Sequence, residues 1–147
     1  MRIRPATPAD LPNLVNLCAA HAAYERSGPV AADLSDRLRK ALFGAEPRLG
    51  CLVLETIDGR LAGYATFSRE FSTWSGGEYL HLDCLFLTEE HRGGGWGRRL
   101  FQAVVLRAGC GQMQWQTPAW NDGARRFYGR LGAHGSAKIR YTLEVDR

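Results

Sequence analysis

Three consecutive glycines, Gly93, Gly94 and Gly95, stand inside the run Arg92-Gly93-Gly94-Gly95-Trp96-Gly97-Arg98-Arg99-Leu100. Before this run, residues 79–87 are almost continuously apolar, the pattern of a central strand buried on both faces. After it, residues 97–108 place Leu100, Val104 and Val105 at helical spacing. Glycines at such a strand-to-helix junction let the backbone present several N–H groups to one point. The helix adds its positive dipole end. Together these features make a phosphate cradle. The alternative, a tight connection without a ligand, would carry the entropic cost of three glycines for no gain. Two familiar cradles are excluded. A P-loop ends in Gly-Lys-Ser/Thr, and this run ends in Gly-Arg-Arg. A dinucleotide-binding turn needs a third glycine where Leu100 stands, and it follows the first strand of its unit, whereas this one follows the fourth.

The rest of the chain frames that junction. Residues 1–5 read as a strand. Thr7 reads as a helix cap, with Pro8 at the first helical position and Asp10 three residues on. Leu11, Leu14, Val15 and Cys18 continue a helix to about residue 24, which Ser27-Gly28-Pro29 ends. Residues 33–43 form a second helix with Leu34, Leu38, Ala41 and Leu42 inward. Residues 51–57 and 61–67 are strands joined at Asp58-Gly59. After the glycine turn come a helix, a strand at 113–117, a helix at 121–131 closed by Gly132, and a last strand at 138–145 that alternates Ile139, Tyr141 and Leu143. The order is β-α-α-β-β-β-α-β-α-β, a mixed α/β chain around one sheet.

Composition narrows the function classes. With 147 residues, the chain is expected to form a single domain over 1–147 with a core that needs neither metal nor disulfide. Cys18, Cys51, Cys84 and Cys110 are scattered, and His21, His81, His91 and His134 share no metal-ligand spacing with them, so no metal is expected. There is no leader-like apolar run and no stretch long enough to cross a membrane, so the expected location is cytoplasmic, without a membrane partner. The net charge of +4 is mild. The arginines gather at 92/98/99 and 125/126/130 without an interleaved aromatic platform, which suits an anionic small ligand and not a nucleic acid.

Two further groups of residues carry chemistry. In Asn121-Asp122-Gly123-Ala124-Arg125-Arg126-Phe127-Tyr128, two helical turns separate Asn121 from Tyr128, with Arg125 close to the same face. A phenol at Tyr128 is able to donate a proton; the other reading is a core aromatic with a satisfied hydroxyl. Asp83 stands in the apolar fourth strand, where a carboxylate is costly without a partner or a task. His81, two residues away, shares its face. The pair is either a proton relay or a structural hydrogen bond.

Arg92-x-x-Gly95-x-Gly97 resembles the acetyl-CoA signature of GNAT acetyltransferases, and the likeness runs along nearly the whole chain. Tyr24-Glu25, Leu42-Phe43-Gly44, Phe71-Ser72-Thr73-Trp74, Tyr79-Leu80-His81-Leu82-Asp83 and Trp120-Asn121 through Ala133 are similar to the diamine (spermidine/spermine-type) and thialysine branch. The resemblance implies a single GNAT-like domain whose mostly antiparallel sheet splays between strands four and five, flanked by about four helices. It implies acetyl-CoA as co-substrate, with pantetheine along Leu85, Phe86 and Leu87 and pyrophosphate on Arg92, Gly93, Gly94, Gly95, Trp96, Gly97 and Arg98. Asn121, Gly123, Ala124 and Arg125 would face the pantetheine arm, and Tyr128 would protonate the leaving thiolate. Tyr24, Glu25 and Asp83 would meet a small-molecule amine, with Glu70 and Glu78 near its entrance, and the branch implies a homodimer. A non-catalytic acetyl-CoA-binding module and an enzyme acting on protein amines are the other readings. Polyamines, thialysine-like amino acids, aminoglycoside-like amines, peptide N-termini and lysines are all open as acceptors.

Overall fold

Thr7 turns the chain from strand to helix. Before it, Arg2–Pro5 forms β1; after it, Pro8–Asp10 makes one 3-10 turn that leads into α1, Leu11–Tyr24. Proline suits the start of a helix because it has no N–H to leave unpaired there. The Asp10 carboxylate accepts from the Thr7 backbone N–H at 2.7 Å and from the Thr7 hydroxyl at 3.1 Å. It also accepts two bonds from Arg4, at 2.7 and 2.9 Å, and Arg4 reaches Glu55 at 3.0 Å. Those guanidinium bonds hold the Asp10 carboxyl below its ordinary range and bring that of Glu55 down to about 2. The computed structural model describes residues 1–109 and 111–146, so Cys110 lies outside the described residues. The chain packs as two compact units, Met1–Gln116 and Thr117–Arg147.

In the first unit, Leu11, Leu14 and Leu17 of α1 are buried, as is Leu42 of α2, Leu34–Phe43. The end of α1 is closed by a left-handed residue, Arg26 (φ 58°). Its N–H bonds the Ala23 carbonyl at 3.1 Å, and the Ser27 N–H bonds that of Ala22 at 2.9 Å. This closing motif leaves Glu25 as the residue that caps the helix.

The sheet follows: β2, Gly50–Glu55; β3, Leu61–Ser72; β4, Gly77–Leu87; and β5, Met113–Gln114. Among the described residues it is five-stranded in the order β1-β2-β3-β4-β5. Neighbours are antiparallel except β4 and β5, which are parallel. α3, Trp96–Ala108, makes the crossover between those two and packs on β2, β3 and β4. Cys51, Val53, Tyr64 and Phe86 join Leu14, Leu17 and Leu42 in one cluster, while Leu100, Phe101 and Val104 are buried from α3. A central sheet covered on both faces accounts for the apolar strands. At the far end of the β3–β4 hairpin, Phe71 is 66% and Trp74 99% exposed.

In the second unit, α4, Asp122–Arg130, ends in the motif that Gly132 predicted. Gly132 has φ 87°. Its N–H bonds the Gly129 carbonyl at 3.0 Å, and the Ala133 N–H bonds the Tyr128 carbonyl at 3.1 Å.

Two expected strands need correction. The strand expected at 113–117 is only Met113–Gln114, because pairing with β4 stops there. Residues 138–145 form no strand among the described residues, and Ile139, Tyr141, Leu143 and Val145 are all exposed. Alternation makes a strand only where a neighbour completes the ladder. Among the described residues no helix is long and apolar enough to cross a membrane.

Candidate active site

The glycine turn opens as the sequence requires. After β4, Glu89–His91 makes a single 3-10 turn, and Arg92 to Gly95 lead into α3. Gly93 and Gly95 both have φ of 82°, the left-handed region. Gly95 is the cap, and the first helical bond is Arg99 N–H to its carbonyl at 3.2 Å. The N–H groups of Trp96, Gly97 and Arg98 therefore have no partner within the helix. A Cβ built on Gly93 or Gly95 would meet nothing within 4 Å, so the space beside these two glycines is open. Donors, helix dipole and open space fit a diphosphate. The Arg92 side chain faces elsewhere: its Nε–H donates to the Leu87 carbonyl at 2.9 Å, and its guanidinium lies 4.6 Å from the Tyr24 ring and 5.3 Å from that of Phe86. It ties the turn to the end of β4. Arg98 is exposed, and Arg99 lies over the Trp96 ring.

The neighbouring strand is splayed as expected. β5 meets β4 only at Leu80↔Met113 and His81↔Gln114 among the described residues. Beyond His81 the β5-facing side of β4, which includes Leu85, Phe86 and Leu87, has no strand partner. A thioester arm rich in amides needs such an edge.

Asp83 differs from expectation. Thr66 pairs with Cys84 but Phe67 with Leu82, so β4 bulges at Asp83. A bulge bends the strand and re-aims a side chain. The Asp83 carboxylate is 58% exposed and its Oδ1 lies 3.7 Å from His81 Nε2, beyond a hydrogen bond. The buried carboxylate expected of an apolar strand is therefore an exposed one, because the bulge turns it out. The His81–Asp83 hydrogen bond is not made.

His21 is a polar residue the sequence reading passed over. It sits on the stripe begun by Leu14 and Leu17, and that interruption of an apolar face was the available signal. Its side chain is 12% exposed, with Nε2 at 2.7 Å from Glu25 Oε2 and Nδ1 at 2.8 Å from the Tyr64 hydroxyl. The ring stacks on Phe86 at 4.9 Å. Burial pushes its pKa below the ordinary 6.5, Arg92 pushes the same way, and the Glu25 and Asp83 carboxylates oppose them. Burial also pushes the Tyr64 phenol far above its usual value. The network thus assigns one tautomer: Tyr64 O–H donates to Nδ1, and Nε2–H donates to Glu25. Glu25, expected from sequence, is brought to this cluster together with Tyr24, whose ring is 6.1 Å from Phe86. Glu70 and Glu78 lie on the outer part of the β3–β4 hairpin, where Ser68 donates to Glu70 at 3.1 Å.

In the second unit, Asn121 is buried, and its Oδ1 accepts the Ala124 N–H at 3.1 Å. It closes the open end of α4, leaving its Nδ2 amide as the group able to donate to a ligand. A Cβ on Gly123 would come within 3.7 Å of that Oδ1. Arg125 Nη1 reaches the Ala119 carbonyl at 3.4 Å and Asp122 at 3.7 Å. Tyr128 is half-buried, edge-on to Phe127 at 5.3 Å. Among the described residues no three His, Cys, Asp or Glu side chains gather to hold a metal ion.

Comparison with known proteins agrees with this geometry. The model of the Acetyltransferase (GNAT) family matches residues 16–133. Bovine (Bos taurus) thialysine N-epsilon-acetyltransferase is 30% identical over 141 residues, covering 89% of this chain and 82% of its own. L-ornithine N5-acetyltransferase of Arabidopsis thaliana is 24% identical, covering 90% of this chain and 78% of its own. The crystal structure of a possible acetyltransferase from Clostridium difficile 630 superposes with a TM-score of 0.81 at 21% identity, over 99% of this chain and 98% of that one.

Proposed function

The chain belongs to the GNAT acetyltransferase family, and from that premise we propose that it moves the acetyl group of acetyl-CoA to a primary amine of a small molecule, polyamine-like or amino-acid-like. That it is an N-acetyltransferase follows from the family and from the enzymes it is similar to. The observation that carries the reading is the turn: two left-handed glycines, with open space beside them, that lead into the unpaired N–H groups of a helix. We read residues 1–147 as one catalytic domain.

Acetyl-CoA supplies an acetyl group activated as a thioester. In this reading the N–H groups from Gly93 to Arg98 would hold the pyrophosphate and the free side of β4 would take the arm; the part assigned to Asn121 Nδ2 on that arm rests on the family resemblance. An alkyl amine arrives protonated, since its pKa is near 10. Asp83, turned out by the bulge, and Glu25 attract that cation, and Asp83 Oδ takes its proton directly or through water. By the family resemblance, the Tyr128 hydroxyl would give a proton to the departing sulfur. Similarity to enzymes named for thialysine and L-ornithine supports a small basic acceptor.

We also propose a homodimer, supported by the exposure of Phe71 and Trp74. Light scattering that finds only monomer at micromolar concentration overturns it. The three thiols Cys18, Cys51 and Cys84 are free, which suits a reducing compartment and supports the cytoplasm.

The deciding experiment mixes the protein and acetyl-CoA with a panel of polyamines, basic amino acids, aminoglycosides and lysine peptides. Released thiol and acetylated products are then measured. Transfer to a small amine supports the proposal. Transfer to peptides alone would move the acceptor to proteins, and binding without thiol release from any amine would leave a non-catalytic module.

A further inference from the structure

We propose that His21 is a positioning residue for the acceptor: its neutral imidazole, clamped between the Tyr64 hydroxyl and Glu25, fixes the Glu25 carboxylate for a cationic amine, and protonation of that imidazole closes the site to it. The proposal rests on the reading above, in which Glu25 and Asp83 receive the amine.

Glu25 caps α1, and the C-terminal end of a helix is the negative end of its dipole. A carboxylate is disfavoured there unless something holds it. His21, one turn earlier, does so through Nε2–H at 2.7 Å from Oε2. Among the described residues Oε1 has no hydrogen bond and is left for a ligand. The imidazole in turn cannot rotate away. Tyr64, on β3, is 2% exposed and holds Nδ1 at 2.8 Å, and Phe86, on β4, lies flat against the ring with 20° between the planes. The clamp therefore joins the acceptor carboxylate to a residue of the strand that borders the turn.

The charges facing His21 are few. Glu25 lies on its own helix, Asp83 on β4 and Arg92 in the turn. Tyr64 faces it from β3 with its phenol protonated, and Cys18 and Cys84 adjoin that hydroxyl with their thiol pKa values raised by burial. With His21 neutral, two carboxylates face one guanidinium, and the surplus negative charge suits one ammonium group. With His21 protonated the surplus is gone, and a cation loses its attraction. Because burial holds the His21 pKa below 6.5, the site stays open at neutral pH and closes on acidification. The selected acceptor is an amine that carries a positive charge when it binds.

The test is a pH profile of kcat/KM for the amine that the acceptor panel identifies, read beside an NMR titration of the His21 imidazole. The wild type should show the Nε2–H tautomer at pH 7. Its kcat/KM should fall on the acid side at the His21 pKa, through KM for the amine and not for acetyl-CoA. His21→Gln keeps a donor towards Glu25 but takes no proton, so the acid limb governed by this residue should disappear. Tyr64→Phe removes the hydroxyl that favours the neutral ring, so the imidazole pKa and the acid limb should both move to higher pH. If His21→Gln does not fold, Tyr64→Phe decides alone. Wild-type acid limbs in the folded variants, or an imidazole protonated at pH 7, overturn the proposal while acetyl transfer stands. Wild-type protein that acetylates no amine overturns the reading beneath it as well.

Discussion

His81 Nε2 and Asp83 Oδ1 stand 3.7 Å apart, across a bulge that turns the Asp83 carboxylate towards solvent. The two are too far apart to make a structural hydrogen bond. Asp83→Asn should therefore leave the melting temperature nearly unchanged. If Asp83 accepts the amine's proton, kcat/KM should fall by about 10²–10⁴, and His81→Gln should cost far less. Equal losses in the two variants would point to a coupled relay; full activity in Asp83→Asn would remove Asp83 from the mechanism.

At the turn, Gly95→Val puts a branched side chain on a left-handed backbone at the cap of α3. The acetyl-CoA dissociation constant should rise more than about tenfold, or 1.4 kcal/mol. Gly94→Ala is the control. Its Cβ would meet only Trp96 Cδ1, at 3.7 Å, so binding should change little. Calorimetry on the folded variants separates them, and equal affinities would contradict a cradle at Gly95.

Tyr128 is held by its backbone, whose carbonyl accepts the Ala133 N–H in the motif that closes α4. Tyr128→Phe leaves that anchor and the ring in place. Loss of a general acid should lower kcat by about 10²–10⁴ with acetyl-CoA binding and melting temperature little changed. Near-normal turnover with a lower melting temperature would make the hydroxyl structural.

Arg4 lowers the pKa of both Asp10 and Glu55, the latter together with Arg2 to about 2 from 4.5. A carboxyl with a lowered folded pKa adds stability above its unfolded value and loses it as pH falls through the folded one. Arg4→Met should therefore be less stable than wild type at neutral pH, and the gap should narrow between pH 4.5 and about 2. Urea unfolding across that range measures it, and a constant gap would assign the Arg4 contribution to packing.

Local periodicity and turn chemistry made most of the fold legible. Pro8 and Asp10, the Leu11–Leu14 spacing, Asp58-Gly59, the glycine run and Gly132 each act within a few residues of themselves, and the structure places them as read. What was missed depends on partners distant in sequence. The bulge at Asp83 is a mismatch between two strands, which no single strand records. The alternation at 138–145 describes a face without saying what lies beside it. His21 interrupts an apolar stripe four residues after Leu17, yet its meaning depends on Tyr64, 43 positions away.

Trp74 at the hairpin tip is almost wholly in water, which makes it an optical probe supplied by the chain itself. Replacing Trp96, Trp115 and Trp120 with phenylalanine would leave one tryptophan. Its emission should be red-shifted and readily quenched by iodide. A second copy that covered the hairpin would shift that emission to the blue and shield it, reporting assembly at concentrations too low for scattering.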